Sequence, residues 1–386
     1  MHEMLGDDKM KKVVLISGHH IQSKRKAGFH WLAYAFSNKN WDIVFITAPI
    51  RYSAWFLGDH RTQCFSLQNV NQPEKIPNSN ITSYVFMTLL NPISSNNKFF
   101  KYLSSPLIKL YGRILPKNLK FLITNADIII FESTEALLLF EKFRELNPDA
   151  KYIYRVSDLL EVNNTPQFVI EYEKKIAPMF DLISVPSEYI FKKFNYLPNT
   201  RLHYHGINKE LFATKDTIPE EYTQFEKNII FVGTTHFDSE FIKIAAGLFP
   251  QWGFHIIGPL DQKAKSPNIM YYGEISFNET IPYLKYADVG LQTRKSAHGL
   301  ASLSDSLKVL QYTYCKLPII APIGLNSSRK NFIYYIPGNL NSILIALNNA
   351  VAFNRSDIET SDIHSWNELV ELLIDEIFKT NKSWLC

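Results

Sequence analysis

The chain has 386 residues, of which 46% are hydrophobic and 20% are charged, and its net charge is +4. This composition excludes a disordered or low-complexity chain and predicts a globular protein of two domains. No apolar run of about 18 residues occurs, so no membrane span is expected, and the charged segment 1–12 does not resemble a signal peptide. Three cysteines, Cys64, Cys315 and Cys386, lack metal-ligand spacing, which argues against a zinc site or a disulfide framework and fits a reducing cytoplasm.

The positive charge is concentrated in the first third of the chain. Residues 1–126 carry 16 Lys and Arg against 6 Asp and Glu, a net charge of +10, and the remaining residues have a net charge of −6. No acidic residue stands between Glu74 and Asp127. We therefore expect one basic surface on the first half of the protein.

Strand and helix patterns alternate from the start of the chain. Residues 13–18, 27–37 and 42–47 predict a strand, a helix and a strand, which form a βαβ unit of a parallel sheet. Further strands are predicted at 83–87, 128–131, 152–155 and 182–185, and further helices at 135–146 and 169–177.

The loop after the first strand carries several basic residues. His20, Arg25 and Lys26 lie on this loop, where the carboxyl end of a parallel strand places candidate ligand-binding groups. Their charge suits the pyrophosphate or a carboxylate of an acceptor molecule. His30 lies within the following helix and is predicted to be structural.

A basic aromatic stretch covers residues 97–123. Lys109, Arg113, Lys117 and Lys120 fall at helical spacing, although Pro116 interrupts a continuous helix. Basic residues beside an apolar face are typical of a segment that lies on anionic lipid. The alternative is an ordinary amphipathic helix with a solvated basic side. Nucleic-acid binding would need the same charge, but no recognised motif accompanies it.

Asp158 is the candidate catalytic group of the first half. The strand 152–155 delivers it to the carboxyl end of the sheet, where active sites of open α/β sheets lie. A carboxylate there is placed to accept the proton of an attacking hydroxyl group. Apolar Leu159 and Leu160 predict a raised pKa by desolvation. The alternative is that Asp158 only caps the next helix.

The second half repeats the alternation. Strands are predicted at 228–232, 253–257, 269–271, 289–291 and 318–321, and helices at 239–249, 280–286, 303–314, 340–353 and 367–379. The pattern predicts a first domain over 10–204, a second over 205–365 and a final segment over 366–386 that packs back on the first domain. Two doubly wound α/β domains of this kind hold ligands at the carboxyl ends of their sheets, facing a central cleft.

Two loops of the second half carry candidate ligand-binding groups. Gly233 follows the first strand and permits close backbone approach, with the hydroxyls of Thr234 and Thr235 beside it. Tyr272 and Glu274 end another strand of the same sheet, although Glu274 is also consistent with an ordinary surface carboxylate.

Positive charge follows a further strand and opens a later helix. Arg294 comes after the strand 289–291 and suits a diphosphate or a sugar carboxylate, unless its loop is merely solvated. Lys308 stands in the first turn of a predicted helix with Ser302, Ser304 and Asp305 as candidate N-caps, and Gln311 follows three residues later. A cation beside free backbone N–H groups makes a diphosphate site. The alternative is a solvated lysine above an apolar helix face.

Other nucleotide-binding signatures are absent from the sequence. It contains neither the glycine pattern of dinucleotide dehydrogenases nor the P-loop pattern. It also lacks the Asp-x-Asp clamp with which one large class of glycosyltransferases holds a metal ion. If the protein is a transferase, we expect no metal and no cofactor, so positive charge and the helix dipole must stabilise the leaving diphosphate.

The segments together resemble a known family. The helix around Lys308 resembles the donor-binding segment of GT-B glycosyltransferases, and the chain as a whole resembles the xanthan-type membrane-associated β-glucuronosyltransferases, which have that fold. The matching stretches are 17–30, 130–133, 154–158, 205–207, 237–241, 254–258, 272–274 and 305–312. The resemblance implies inverting transfer of glucuronate from UDP-glucuronate to a polyprenyl-diphosphate-linked oligosaccharide in exopolysaccharide assembly.

The resemblance also assigns roles. It implies that Asp158 is the general base, that Lys308 meets the donor phosphates, and that Glu274 and Gln311 help to hold the nucleotide. Arg294 stands where the family has Tyr, and an added cation there fits a uronate. The expected location is peripheral, on an anionic membrane surface at the cytoplasmic face of the inner membrane. The alternatives are another UDP-sugar donor, a UDP-sugar epimerase, or a non-catalytic protein that binds RNA or lipid.

Overall fold

The computed structural model describes residues 10–24, 26–56, 58–88, 111–112, 114–163, 165–233, 237–260, 264–294 and 300–379. These residues form two compact units. The first unit contains the described residues up to 186 together with 190–203 and 366–379. The second contains 187–189 and the described residues from 204 to 365.

An eight-stranded sheet forms the first unit. Its order is β3-β4-β2-β1-β5-β6-β7-β8, and every pairing is parallel except that of β3 with β4. The central strands consist mainly of Val, Ile, Phe and Tyr with almost no exposed surface, as expected for a parallel sheet that is covered on both faces. The strands are β1 (Lys12–Ser17), β2 (Asp42–Arg51), β3 (Pro73–Lys75), β4 (Ile81–Thr88), β5 (Ile128–Glu132), β6 (Lys151–Arg155), β7 (Leu182–Val185) and β8 (Thr200–Leu202).

Helices connect these strands. The first five helices that the described residues form are α1 (Gly28–Asn38), α2 (Lys117–Thr124), α3 (Phe140–Leu146), α4 (Gln167–Ile176) and α5 (Glu188–Phe194). The single helix predicted over 135–146 is a 3₁₀ turn, Glu135–Leu139, followed by α3. Thr134 caps that turn by accepting the backbone N–H of Ala136.

The second unit has a six-stranded parallel sheet. Its order is β11-β10-β9-β12-β13-β14. The strands are β9 (Lys227–Val232), β10 (Trp252–Ile257), β11 (Ile269–Gly273), β12 (Val289–Leu291), β13 (Ile319–Pro322) and β14 (Phe332–Tyr335). The helices are α6 (Lys209–Ala213), α7 (Ser239–Leu248), α8 (Phe277–Tyr286), α9 (Leu307–Tyr314) and α10 (Leu340–Ala352).

The last helix, α11 (Trp366–Lys379), packs within the first unit. It lies against α1, where Lys39 pairs with Glu371 and the amide of Asn38 donates to Asn367. Leu369, Val370 and Leu373 supply its buried face. No helix in the described part of the chain is both long and apolar enough to cross a membrane.

Each sheet has one point at which its strand order reverses. In the first unit the chain goes from β1 outward to β2 and β4 and returns to β5 on the other side of β1. In the second unit β9 and β12 are the corresponding neighbours. Ligands of open α/β sheets bind outside the carboxyl ends of the strands at such switch points. These two strand ends are therefore where a functional site is expected in each unit.

The buried carboxyl group of Glu173, which is bonded to Tyr154 of β6, predicts that the stability of the folded protein depends on pH. The Tyr154 hydroxyl donates to Glu173 of α4, and burial raises the pKa of Glu173 to about 7. The unfolded chain loses this proton near pH 4, so the stability of the folded protein falls as pH rises from about 4 to 7. We expect Glu173→Gln to be more stable than the parent chain at pH 8 by on the order of 3 kcal/mol, with little difference at pH 4.5.

Urea unfolding at pH 4.5 and pH 8 measures this difference. Glu171→Gln is the matched control, because Glu171 lies on the exposed side of the same helix. The same change in unfolding free energy at both pH values for Glu173→Gln would contradict the prediction.

Candidate functional site

Glu132 organises the switch point of the first unit. It ends β5 and is buried, and one carboxylate oxygen accepts the Ser17 hydroxyl at 2.6 Å and the Gly18 N–H at 3.2 Å. The other oxygen accepts the Ser157 hydroxyl at 3.0 Å. One carboxylate thus joins the ends of β1, β5 and β6 and fixes the loop that follows β6. No role was predicted for Glu132, although a carboxylate that ends an apolar strand is a recognisable signal in the sequence.

Asp158 lies next on that loop. Its backbone N–H donates to the Ser133 hydroxyl at 3.1 Å, and its side chain is exposed, while Leu159 and Leu160 are buried. Leu159 and Leu160 turn into the core and leave Asp158 exposed, so the structure does not support the predicted desolvation by these two side chains. The helix-cap alternative also fails, since α4 begins only after Pro166. The structure leaves an exposed carboxylate at a strand end.

The structure does not support an acceptor contact by His20. The side chain is fully buried and stacks on Phe65 at 5.3 Å, its Nδ1 accepts the Gln22 N–H, and its Nε2 lies 3.4 Å from the Ser83 hydroxyl. Burial, with a smaller contribution from the charge of Lys26, lowers the pKa of His20 to about 4. His20 is thus a neutral core residue, which corrects the prediction.

Of the other two predicted acceptor-binding residues, the structure describes Lys26 but not Arg25. Lys26 donates from Nζ to the carbonyl of Ile21 at 2.9 Å and lies over the Tyr34 ring at 5.8 Å. Its ammonium therefore stabilises its own loop. Arg25 lies outside the described residues.

Two of the four residues predicted to face a membrane lie in the described part of the chain. Lys117 and Lys120 lie on α2, whose Leu119 and Ile123 are buried in the core. Phe121 on the same helix is 68% exposed, so α2 presents cations beside an aromatic ring to solvent. Lys109 and Arg113 lie outside the described residues.

Gly233 and Lys308 come together at the switch point of the second unit. Gly233 follows β9, and its N–H donates to the Ile257 carbonyl at 3.0 Å. A Cβ on Gly233 would stand 3.0 Å from the Phe231 ring and 3.2 Å from Nζ of Lys308. The ammonium also lies 4.5 Å from the centre of that ring. The missing side chain of Gly233 therefore leaves room for the lysine.

The environment of Lys308 favours an anion. Burial, together with the charge of Arg294, lowers the pKa of Lys308 to about 7. No carboxylate of the described part of the chain forms an ion pair with it. Lys308 is the second residue of α9, and within the described part of the chain the hydroxyl of the N-cap residue Ser306 accepts no hydrogen bond from that helix. A bound diphosphate would supply both the counter-charge and the acceptors that this helix end lacks.

The cap of α9 differs from the prediction. Ser304 and Asp305, predicted as caps with Ser302, both precede the actual N-cap Ser306. Asp305 is instead buried and paired with Arg329 at 3.1 Å. The difference arises because a short 3₁₀ turn, Leu300–Leu303, precedes α9, which begins only at Leu307.

The remaining donor-binding candidates lie in the same unit. Gln311 is buried one turn after Lys308, and Arg294 is partly buried beyond β12. Thr234 and Thr235 lie outside the described residues. Glu274 is exposed directly after β11, and the carbonyl of Gly273 before it accepts the Gly258 N–H at 2.7 Å. That bond ties the end of β11 to the loop after β10.

Two buried hydrogen bonds in series, which were not predicted, hold the hydroxyl of Tyr272. The oxygen of the Asn228 side chain lies 2.8 Å from Nε2 of His255, and Nδ1 of His255 lies 2.8 Å from the Tyr272 hydroxyl. Because an amide oxygen only accepts, Nε2 carries the proton and Tyr272 donates to Nδ1. Burial lowers the pKa of His255 to about 3, which keeps the ring neutral. The hydroxyl of Tyr272 is thus engaged within the protein, and its ring packs against Tyr283 at 4.9 Å between ring centres.

A metal site was not expected. Across the described ranges, no group of three or more His, Cys, Asp or Glu side chains is arranged to hold a metal ion. Independence from metal remains a prediction.

The sequence is similar to a glucuronosyltransferase. Residues 15–186 match the family model of the N-terminal domain of glucuronosyltransferase GumK. Over 369 residues the chain is 26% identical to the UDP-glucuronate:glycolipid 2-beta-glucuronosyltransferase of Xanthomonas campestris pv. campestris, covering 94% of this chain and 89% of that protein. The resemblance to the xanthan-type family is confirmed.

Solved structures share the fold. A glycosyltransferase from Rickettsia africae superposes with a TM-score of 0.60 at 11% identity, covering 97% of this chain and 100% of that one. Sucrose-phosphate synthase from Thermosynechococcus elongatus gives a TM-score of 0.59 at 14% identity, covering 96% and 98%. The lipopolysaccharide outer core galactosyltransferase WaaB gives 0.53 at 15% identity, covering 96% and 99%. The predicted GT-B fold class is confirmed.

Proposed function

We propose that this chain, a GumK-type glycosyltransferase, transfers glucuronate from UDP-glucuronate to a lipid-linked glycan. The observation that carries the proposal is the position of Lys308, beside Gly233 and the uncapped start of α9. A diphosphate is the group that such a site binds. The printed name of the Xanthomonas relative, which pairs UDP-glucuronate with a glycolipid, supports the choice of donor and acceptor.

Positive charge takes the place of a metal ion in this proposal. Negative charge develops on the diphosphate as UDP leaves, and preorganised cations and N–H dipoles lower the barrier to that step. Lys308 and the first turn of α9 supply them, with Arg294 next to Lys308. Arg294 also suits the carboxylate of the uronic acid, because a guanidinium binds carboxylates through two parallel hydrogen bonds.

Asp158 is the proposed general base. Its exposed carboxylate accepts the proton of the acceptor hydroxyl as that oxygen attacks the anomeric carbon. A single displacement of this kind inverts the configuration of the donor sugar. Glu132 supports the reaction indirectly, since it holds the Ser157 hydroxyl and thereby the loop that carries Asp158.

Product formation tests the function. We expect the purified protein to release UDP from UDP-glucuronate only when a glycolipid acceptor is present, with a β-linked product and no loss of rate in a chelator. UDP-glucose and UDP-galactose serve as comparison donors. A sugar nucleotide that is converted without an acceptor would favour the epimerase and contradict the proposal.

The acceptor side of the proposal concerns a membrane. A polyprenyl-diphosphate-linked oligosaccharide in exopolysaccharide assembly is the proposed acceptor, at the cytoplasmic face of the inner membrane. The basic first unit supports this, and so does α2 with its exposed Phe121; Ile114, just before that helix, is 88% exposed. Cations beside apolar side chains bind an anionic interface.

Vesicle binding tests the membrane contact. We expect Lys117→Gln with Lys120→Gln to weaken binding to anionic vesicles about 30-fold, because each basic residue near such a surface contributes about 1 kcal/mol. Co-sedimentation with vesicles of increasing phosphatidylglycerol content measures the effect.

A second pair of exposed lysines gives the control for vesicle binding. Lys174 and Lys175 lie on α4, and their joint replacement by Gln removes the same charge from another surface. Equal losses for the two pairs would mean that net charge alone, and not α2, determines the binding.

A further inference from the structure

Two buried polar side chains lie at the end of β12. Gln292 is 1% exposed and Thr293 is not exposed at all, yet Oε1 of Gln292 and Oγ1 of Thr293 have no hydrogen-bond partner among the residues that the structure describes. More than about nine in ten buried polar groups in proteins are paired, and each unpaired one costs about 1–3 kcal/mol. Of the two residues, Gln292 stands beside the start of α9, and its unpaired oxygen indicates a contact that a ligand completes.

Gln292 faces α9. The backbone N–H of Gln292 still donates to the Ile320 carbonyl at 2.9 Å, so the residue continues the register of β12. Gly290, two residues earlier on the same face, lies under Tyr312 of α9, where a Cβ would stand 2.7 Å from the ring. The Gln292 amide nitrogen accordingly donates to the hydroxyl of the N-cap residue Ser306 at 3.4 Å. Thr293 lies on the opposite face of the strand.

The position of Gln292 coincides with the switch point of the second sheet. β12 and β9 are the neighbours at which the strand order reverses, and Gly233 follows β9. Lys308 stands two residues after Ser306, on the first turn of α9. The unpaired oxygen of Gln292 therefore belongs to the strand ends and helix start that hold the proposed phosphate site.

We propose that Gln292 is a donor-binding residue whose side-chain amide pairs with a hydroxyl group of the nucleotide sugar. The inference rests on the proposed function and names a contact of the same site. Lys308 and the α9 terminus take the diphosphate, and Gln292 takes a hydroxyl of the sugar or of the ribose.

The chemistry of the amide selects a hydroxyl as its partner. An unpaired carbonyl oxygen needs a donor, and neither a diphosphate nor a carboxylate offers one at neutral pH. With the amide rotated by 180°, its NH₂ group would face the ligand and would need an acceptor instead. A hydroxyl both donates and accepts, so it satisfies the amide in either orientation.

Substitution by Leu separates ligand binding from a structural role. Leu has a similar size and removes both the oxygen that the described residues leave unpaired and the long 3.4 Å bond from the amide nitrogen to Ser306, so we expect the Tm of Gln292→Leu to be close to that of the parent chain. We expect its affinity for UDP-glucuronate to fall about 10-fold, because a buried hydroxyl of the ligand loses its partner. Gln292→Met, which keeps the unbranched chain, is the second variant and should behave in the same way.

Calorimetric titration with UDP and with UDP-glucuronate tests the proposal, with Tm measured on each free protein. Thr293→Val is the matched control, since it removes the other unpaired oxygen from the face that points away from α9, and its affinities should equal those of the parent chain. A loss for UDP-glucuronate alone assigns a hydroxyl of the transferred sugar, and a similar loss for both ligands assigns a group of UDP itself, such as a ribose hydroxyl.

Three results would overturn the inference. Unchanged affinities of both Gln292 variants would show that the amide makes no ligand contact. A lowered Tm of the free variants would make Gln292 structural. If the parent chain bound neither ligand, the proposed function would fail together with this inference, whereas a parent chain that binds and a Gln292→Leu variant that binds equally well would refute only the inference.

Discussion

The Asp158→Asn variant should lose glycosyl transfer while it binds UDP as tightly as the parent chain. An amide has nearly the same shape as a carboxylate but accepts no proton at neutral pH, and general-base catalysis contributes about 10²–10⁴-fold to rate. The side chain is exposed, so the substitution should change the free energy of unfolding by less than about 0.5 kcal/mol. Steady-state UDP release gives kcat, and calorimetric titration gives the Kd for UDP.

Asp149→Asn is the control for this variant. Asp149 is an exposed carboxylate that precedes β6, at the opposite end of the strand that leads to Asp158. It should retain full activity. Turnover by Asp158→Asn within a few-fold of the parent chain would mean that another group accepts the proton.

The buried strands were predictable because of where they lie in their sheets. β7 and β12 have the predicted bounds, and β5 extends the prediction by one residue. These strands are covered on both faces, so they read as continuous apolar runs between polar loops. The two edge strands of the first sheet gave no such signal: the side chains of β3 are mostly exposed, and those of β8 are only partly buried.

The candidate site was predictable where topology alone places residues. Gly233 and Lys308 are 75 positions apart in sequence. Gly233 directly follows β9, and Lys308 lies in the first turn of the helix after β12. Parallel strands bring such ends to the same edge of the sheet. This part of the prediction needed no knowledge of side-chain contacts.

Burial of individual loop residues was not predictable in this way. His20 was expected at a ligand, and it is buried because Phe65 and Ser83 from distant segments pack against it. Asp158 was expected to be desolvated by its neighbours and is exposed. Glu132 joins three strand ends through contacts up to 115 positions apart. Such roles depend on long-range packing, which a local sequence pattern does not contain.

The Lys308→Met variant should bind UDP-glucuronate about 100-fold more weakly than the parent chain. A hydrogen bond from a charged donor to phosphate contributes up to about 3 kcal/mol, and Met keeps the length of the side chain without the charge. Lys243→Met is the control, because Lys243 lies on the exposed side of α7 in the same unit. Equal affinities of the Lys308 variant and the parent chain would exclude Lys308 from the phosphate site.

The lowered pKa of Lys308 adds a pH dependence to this binding. In the free protein the ammonium loses its proton near pH 7, because burial and Arg294 disfavour the charge. A bound diphosphate favours the charged form, so above pH 7 binding must first restore the proton. We expect the affinity for UDP-glucuronate to fall about tenfold per pH unit between pH 7 and 9, with uptake of about one proton per ligand bound. Calorimetry in buffers of different ionisation enthalpy measures that uptake. An affinity that is constant from pH 7 to 9 would mean that Lys308 is already charged before the donor arrives.

The stability of the free protein should change with pH in the opposite direction to the affinity. The unfolded chain keeps the lysine proton to about pH 10, whereas the folded chain releases it near pH 7. Because the unfolded state then binds more protons, the stability of the free protein rises over the pH range in which the affinity for UDP-glucuronate falls.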